Sequence, residues 1–220
     1  MNSKIAIGAA MAAMVLAVGA YDARAQDAGL QGKKAGDILV RVRALGVVPD
    51  ENDSNITVIG GELDASNTLV PELDFSYFFT DNIAAELILA TTPHNISASR
   101  TSLGKVDVGD VWLLPPTLTL QYHPFPKSRF SPYVGAGLNL TLFYAEDAAG
   151  GTVRSLSFDN FSVGFAAQAG LDYQINDRWS INLDIKKVFI EAEAELNGGA
   201  IAGQVDLDPW LFGIGVGYKF

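Results

Sequence analysis

The chain has 220 residues, a formal net charge of −10 and no cysteine. Its length allows about one domain, and the missing thiols exclude a disulfide scaffold, thiolate metal sites and a cysteine nucleophile. So acidic a balance argues against nucleic-acid binding, which needs clustered Lys and Arg to neutralise phosphates.

The first residues read as an export signal. Lys4 precedes an almost wholly apolar or small run from Ile5 to Ala20, and Ala23-Arg24-Ala25 forms a cleavage pattern. Cleavage after Ala25 leaves residues 26–220 as the mature domain. The apolar run, about 16 residues, is short against the roughly 20 that a spanning helix needs, so an uncleaved anchor is the lesser alternative. The leader carries Lys4, Arg24 and Asp22, a net +1, so its loss takes the charge from −10 to −11.

From residue 37 onward the dominant pattern has period two, the period of a strand. Segment 37–48 sets Ile38, Val40, Val42 and Ala44 against Asp37, Arg41 and Arg43. Further segments fall at about 68–79, 83–92, 111–123 and 132–144. Segment 160–175 alternates most strictly: Phe161, Val163, Phe165, Ala167, Ala169, Leu171, Tyr173 and Ile175 form one face, and small or polar residues form the other. Segments 179–193 and 206–220 complete a set of eight. Short turns at 80–82, 124–131 and 176–178 alternate with longer connections at about 49–67, 93–110, 145–159 and 194–205. The expected fold is therefore all-β: an eight-stranded antiparallel transmembrane β-barrel with short periplasmic turns and long extracellular loops, in a bacterial outer membrane.

Rings on the apolar parity test this orientation. Tyr77, Phe79, Tyr122, Tyr173, Trp179, Tyr218 and Phe220 lie at the short-turn ends, and Trp112, Tyr144, Phe161 and Trp210 at the other. A lipid boundary selects two such bands of amphipathic rings. A water-soluble sandwich, the alternative, has no need of them.

The opposite parity must fill a lumen just wide enough for side chains. Gly135, Gly137, Gly164, Gly170, Gly213, Gly215 and Gly217 leave room there. The longer inward residues Arg41, Arg43, Glu72, Asp74, Glu86, Gln121, Gln168, Asp172, Asp184 and Lys186 could pair across the lower lumen as a polar plug.

Several pieces in order resemble one family. They are Gly36-Asp37 with Leu39-Val40-Arg41, Pro71-Glu72-Leu73 with Tyr77-Phe78, and Ala84-Ala85-Glu86-Leu87 with Ala90 to His94. Next come Leu114-Pro115-Pro116-Thr117, Gln121-Tyr122-His123, Pro132-Tyr133-Val134-Gly135-Ala136-Gly137 and Trp179. The last piece is Leu207-Asp208-Pro209-Trp210, running on through Gly213 to Phe220. Over essentially the whole mature length the chain resembles the OmpW/AlkL family of small outer-membrane proteins. The resemblance implies a narrow, largely apolar interior and passive uptake of small hydrophobic molecules. It also marks terminal Phe220 as the signal read by the barrel-assembly machinery.

An apolar ligand then needs a place. Leu45, Val47, Val70, Ile88, Leu113, Phe143, Val188 and Leu211 are inward or nearly so in the upper half. They form either an outward-open apolar pocket or simply the barrel's filling. Pro115 and Pro116 cannot donate to a strand ladder. The pair marks either a lateral opening between the third and fourth strands or an irregular strand start.

Other chemistry finds little support. His94 and His123 lie near opposite ends of neighbouring strands, about 30 Å apart along a strand rising roughly 3.3 Å per residue. They read as one loop histidine and one interfacial histidine, with no shared metal or catalytic site. No G-x-S-x-G elbow or H-E-x-x-H helix occurs, and no cofactor is implied. Asp50, Glu51, Asp53, Glu62 and Asp64 in the first long loop could hold cations bridging lipopolysaccharide phosphates, or be ordinary solvated acids. The alternative functions are a structural or receptor barrel acting through its loops and a lipid-modifying enzyme. The loops lack very long strand extensions, which counts against the loop role. Outer-membrane lipids and lipopolysaccharide are the expected surroundings, and a closed barrel is expected to be a monomer.

Overall fold

Strict alternation puts every second side chain on the same face, so a strand of this chain can be apolar outside and polar or small inside. The computed structural model describes residues 30–49, 55–56, 62–101, 104–149, 156–158, 161–196, 201–206 and 208–220. The leader 1–25 lies outside them, as do Asp50, Glu51 and Asp53.

Eight strands close on themselves: β1 (Ile38–Val48), β2 (Thr68–Phe78), β3 (Ile83–Ala90), β4 (Gly104–Leu114 continued by Thr117–Tyr122), β5 (Phe130–Ala148), β6 (Phe161–Gln174), β7 (Trp179–Val188) and β8 (Trp210–Lys219). Each pairs antiparallel with its sequence neighbours, and β1 pairs β8 from Leu39↔Lys219 to Val48↔Trp210. Closure leaves no lower sheet edge, the condition a lipid environment imposes on a strand protein.

The outer face carries the apolar parity. Val42, Phe75, Leu87, Leu120, Leu138, Phe165, Leu183 and Ile214 are all exposed on the isolated chain. Tyr77 packs edge-on against Phe79, and Tyr218 packs against both Trp179 and Phe220, which builds the lower band of rings. Trp112 beside Tyr144 forms part of the upper band.

Regions read from the sequence as loops prove partly to be strand. The Glu62–Ala65 and Thr92–Thr101 segments pair with each other, and the latter also pairs with the upper part of β4. On the other side of the rim, Leu156–Phe158, Glu191–Leu196, Ile201–Asp206 and Asn55–Ile56 form a second sheet of four segments. The barrel wall therefore rises above the upper rings, and the expectation of loops without strand extensions is corrected. Period two was weak here because hydrophobic alternation fades once neither face meets lipid. The β6–β7 segments beside the girdles, where lipid selects one face, alternate most strictly.

The chain enters the barrel across its floor. Between residues 31 and 37 it straps all three short turns. Gln31 N–H donates to Asp177 Oδ1 (2.9 Å), Lys33 N–H to the Pro126 carbonyl (2.8 Å) and Ala35 N–H to Asp81 Oδ1 (3.1 Å). Gly32 sits at φ +65°, and a Cβ there would run into the Pro126–Lys127 backbone, so this step of the strap needs glycine.

Candidate functional site: a two-storey lumen

On several strands the inward parity changes from charged to apolar part-way up the barrel. Along β1 it reads Arg41, Arg43, then Leu45, Val47. Along β7 it reads Asp184, Lys186, then Val188, and along β3 Glu86, then Ile88, Ala90. Register matches the step between β1 and β2, with Arg43 opposite Glu72 and Leu45 opposite Val70, and offsets it across β2–β3, where Glu72 stands opposite Ala90.

Below the step, all ten residues expected to form a polar plug are buried and tied into one network. Arg41 donates to Asp172 through Nε (3.1 Å) and Nη2 (2.8 Å), and through Nη1 to Ser76 (2.7 Å) and Glu86 (2.8 Å). Arg43 reaches Glu72 (2.7 Å), Asn182 (2.6 Å) and Asp74 (3.0 Å). Lys186 holds Glu72 (2.8 Å) and Asp184 (2.9 Å). Gln168 and Gln121 each donate to Glu86 Oε2 at 2.7 Å. Charge-assisted bonds of this kind offset the large cost of taking ions out of water only when nearly every donor and acceptor is used.

Tyr133, Lys33 and His123 are among the plug members that escaped the sequence reading, as are Asn182 and Ser76. Tyr133 lies on the same parity as Gly135 and Gly137 and crosses the lumen. Its hydroxyl donates to Asp184 (2.6 Å), its ring lies under the Arg41 guanidinium, and Gly170 makes space, since a Cβ there would strike that ring. Lys33 comes from the strap, where no strand periodicity exists to flag it. Its ammonium donates to Asp172 (2.6 Å), His123 Nδ1 (2.9 Å) and Ser131 Oγ (3.0 Å). His123, expected at the interface, is fully buried, stacked between Phe78 and Tyr133. With Nδ1 accepting from Lys33, its Nε2–H donates to Gln121 Oε1 (3.1 Å), which fixes a neutral tautomer. Burial, then the Lys33 charge, hold the His123 imidazole well below its usual pKa, and burial pulls the Lys33 ammonium down to about 8. Both groups lie outside the spanning strands.

Above the step lies a cavity with about 910 Å³ of empty space, counting open solvent at its edge. Of the eight expected lining residues, Leu45, Val47, Ile88, Leu113, Phe143, Val188 and Leu211 line it. Val70 packs one layer behind, against Leu45, Val47 and Ala90. The floor is Glu72, Lys186, Thr117 and Asn139. Their polar atoms are engaged with one another or with the plug, for Asn139 donates to Thr117 Oγ1 (2.8 Å) and to the Pro115 carbonyl (3.3 Å). His94, expected in a loop, stands in a strand on the cavity wall.

Pro115 and Pro116 interrupt β4 at this same height. The ladder to β3 stops at Ile88↔Thr117, and pairing with Thr92–Thr101 begins only at Thr92↔Leu113. On the β5 side the strand keeps its register, and Leu140 N–H donates to the Pro116 carbonyl (3.0 Å). The ladder to β5 lapses at the same two prolines but keeps that one bond, so the break is the wider on the β3 side, and Pro115 lines the cavity.

A closed eight-stranded barrel, ringed by aromatics at two levels and apolar between them, is an outer-membrane barrel. The comparisons agree. The OmpW family model matches residues 34–220, and the chain belongs to the OmpW family. It is 48% identical over 184 residues to the uncharacterized outer-membrane protein y4mB of Sinorhizobium fredii, covering 82% of this chain and 79% of that protein. Outer membrane protein W of Vibrio cholerae is 41% identical over 195 residues, covering 84% and 89%. The crystal structure of OprG from Pseudomonas aeruginosa superposes with a TM-score of 0.80 at 33% identity, over 87% of this chain and 99% of that one. The dibenzothiophene metabolism operon protein PahQ of Pseudomonas aeruginosa is 29% identical over 166 residues, covering 74% and 77%.

Proposed function

We propose that this barrel is a conduit for passive uptake of small hydrophobic molecules. They enter the upper pocket from outside and leave sideways into the bilayer beside Pro115 and Pro116. The observation that carries the reading is the apolar cavity seated on an ion-paired floor. Burying ligand surface there would gain roughly 25 cal/mol per Å², while the network below leaves an apolar molecule no favourable way down. The name of PahQ, a protein of an operon for metabolism of an apolar aromatic, is consistent with this cargo class. The broken β3–β4 ladder supports the exit, because a gap in a ladder is where a wall can part at least cost. In this reading the chain is not an enzyme, its surroundings are outer-membrane lipid and lipopolysaccharide, Phe220 is its assembly signal, and it works as a monomer.

The test is uptake of a homologous series of medium-chain aliphatics by cells with and without the protein, beside a polar solute of similar size. The apolar series alone should gain rate. Leu113→Asp and Phe143→Asp should abolish the gain while the barrel still folds; unchanged uptake would remove the pocket from the mechanism. The constant register on either side of the break sets Leu89 opposite Pro116. A cross-link between cysteines at those two positions should block uptake if the exit is lateral. Intact uptake across that link would sink the exit while leaving the pocket.

A further inference from the structure

The upper pocket is apolar, yet two polar side chains on one strand line it, each with a polar atom unspent. His94 and Thr92 lie two residues apart, so they share a face of the Thr92–Thr101 strand at a separation of roughly 7 Å. His94 Nδ1 lies 2.9 Å from the Ser66 carbonyl oxygen. That oxygen can only accept, so Nδ1 carries the ring proton, and the neutral ring presents the Nε2 lone pair on its other side. Among the described residues nothing donates to Nε2, and nothing pairs with the Thr92 hydroxyl. The other polar groups of the lining are committed. Glu72 and Lys186 hold each other, and Asn139 and Thr117 bond each other and the Pro115 carbonyl.

An accessible acceptor on the wall of an apolar pocket costs desolvation when an apolar guest covers it, and repays that cost only when the guest brings a donor. Ordinary core histidines have both nitrogens engaged, as His123 does at the other end of this barrel.

We infer that His94, with Thr92 beside it, is the specificity-determining pair of this pocket, and that the cargo is an apolar body carrying one hydrogen-bond donor, a phenol or an aliphatic alcohol, rather than a bare hydrocarbon. The inference rests on the pocket being the binding site. His94 accepts the hydroxyl proton at Nε2. The Thr92 hydroxyl donates to the same cargo oxygen, and Leu45, Leu113, Phe143 and Val188 enclose the apolar body.

The experiment is binding of 1-naphthol and 1-methoxynaphthalene, two fluorescent probes of similar size of which only the first has a donor, to the full mature barrel in lipid nanodiscs. Empty nanodiscs give the lipid background. The barrel should bind 1-naphthol about tenfold more tightly than its ether, the worth of one well-made neutral hydrogen bond. His94→Phe should bring the two affinities together by weakening the phenol alone. Thr92→Val should lower the ratio part of the way. His94→Gln, which keeps an acceptor, should retain most of the preference and shows that a folded barrel is being measured. Equal binding of the two probes to the unaltered barrel overturns the inference and leaves the conduit standing, as does a preference that survives His94→Phe. Binding of neither probe above background overturns both.

Discussion

The two storeys of the lumen are built from the same strands and the same parity, yet they solve opposite problems. Below, five carboxylates and four cations are buried and tied to one another and to neutral groups such as Gln168, Asn182 and Tyr133. Above, leucines, valines and a phenylalanine surround space that they do not fill. The lower storey is rigid because a buried ion is tolerable only with its partners in place. The upper storey stays open where apolar side chains such as Val47 and Val188 line space without closing it. Stability is concentrated in one and capacity in the other, and substitutions should separate the two.

The sharpest break is Asp172→Ala. Asp172 accepts from Arg41 twice, from Lys33 and from Asn182, so its loss takes a carboxylate partner from two buried cations at once. It should cost about 3–5 kcal/mol, read as a lower denaturant midpoint for the barrel in a bilayer, with apolar uptake per folded molecule unchanged. A midpoint equal to that of the unaltered chain would mean the plug is not what holds the barrel together.

Leu45→Ala probes the other storey. The residue borders existing empty space, so its removal enlarges a cavity instead of creating one. The loss should stay near the low end for buried leucines, about 2.5 kcal/mol, and the pocket should admit bulkier cargo. Uptake measured across probes of increasing girth would show it. A loss as large as that of Asp172→Ala would erase the contrast between storeys.

The smallest effect is one of pH, at the floor. His123 is held neutral in the folded barrel well below its ordinary 6.5. The unfolded chain therefore binds the extra proton first as pH falls, and folding stability drops through and below that value. One unit below 6.5 the loss should be about 1.4 kcal/mol. Lys33 works in the same sense in alkali: with its folded pKa about 8 against an ordinary 10.5, stability gains as pH rises between them. Denaturant midpoints from pH 7.5 to 5.5 should fall in the unaltered chain and stay level in His123→Gln. Parallel curves would place the acid sensitivity elsewhere.

Much of this was legible in the sequence, and unevenly. Arg41, Arg43, Glu86, Asp184 and Lys186 could be assigned to the lumen because lipid on the other face enforces alternation, and parity alone then fixes the side. The same parity found seven of the cavity-lining residues. Lys33 was missed because it enters the lumen from the strap. His123 shares the inward parity of Gln121 and was missed because its place at the end of segment 111–123 read as the membrane interface. The strand extensions around Thr92–Thr101 and Glu191–Leu196 were read as loop because no lipid boundary imposes a pattern there.

Alternation in the chain alone points to eight strands, a closed sheet, the face that meets lipid, and an inward parity charged low and apolar high. Those are properties of a repeat two residues long, and lipid makes that repeat obligatory. Which charge meets which, the strap's path across all three turns to seat Lys33 against Asp172, and the unspent His94 nitrogen facing the cavity emerge with the folded barrel. Each depends on residues far apart in the chain meeting in a closed lumen, where register and turn geometry, not local pattern, set who is within 3 Å.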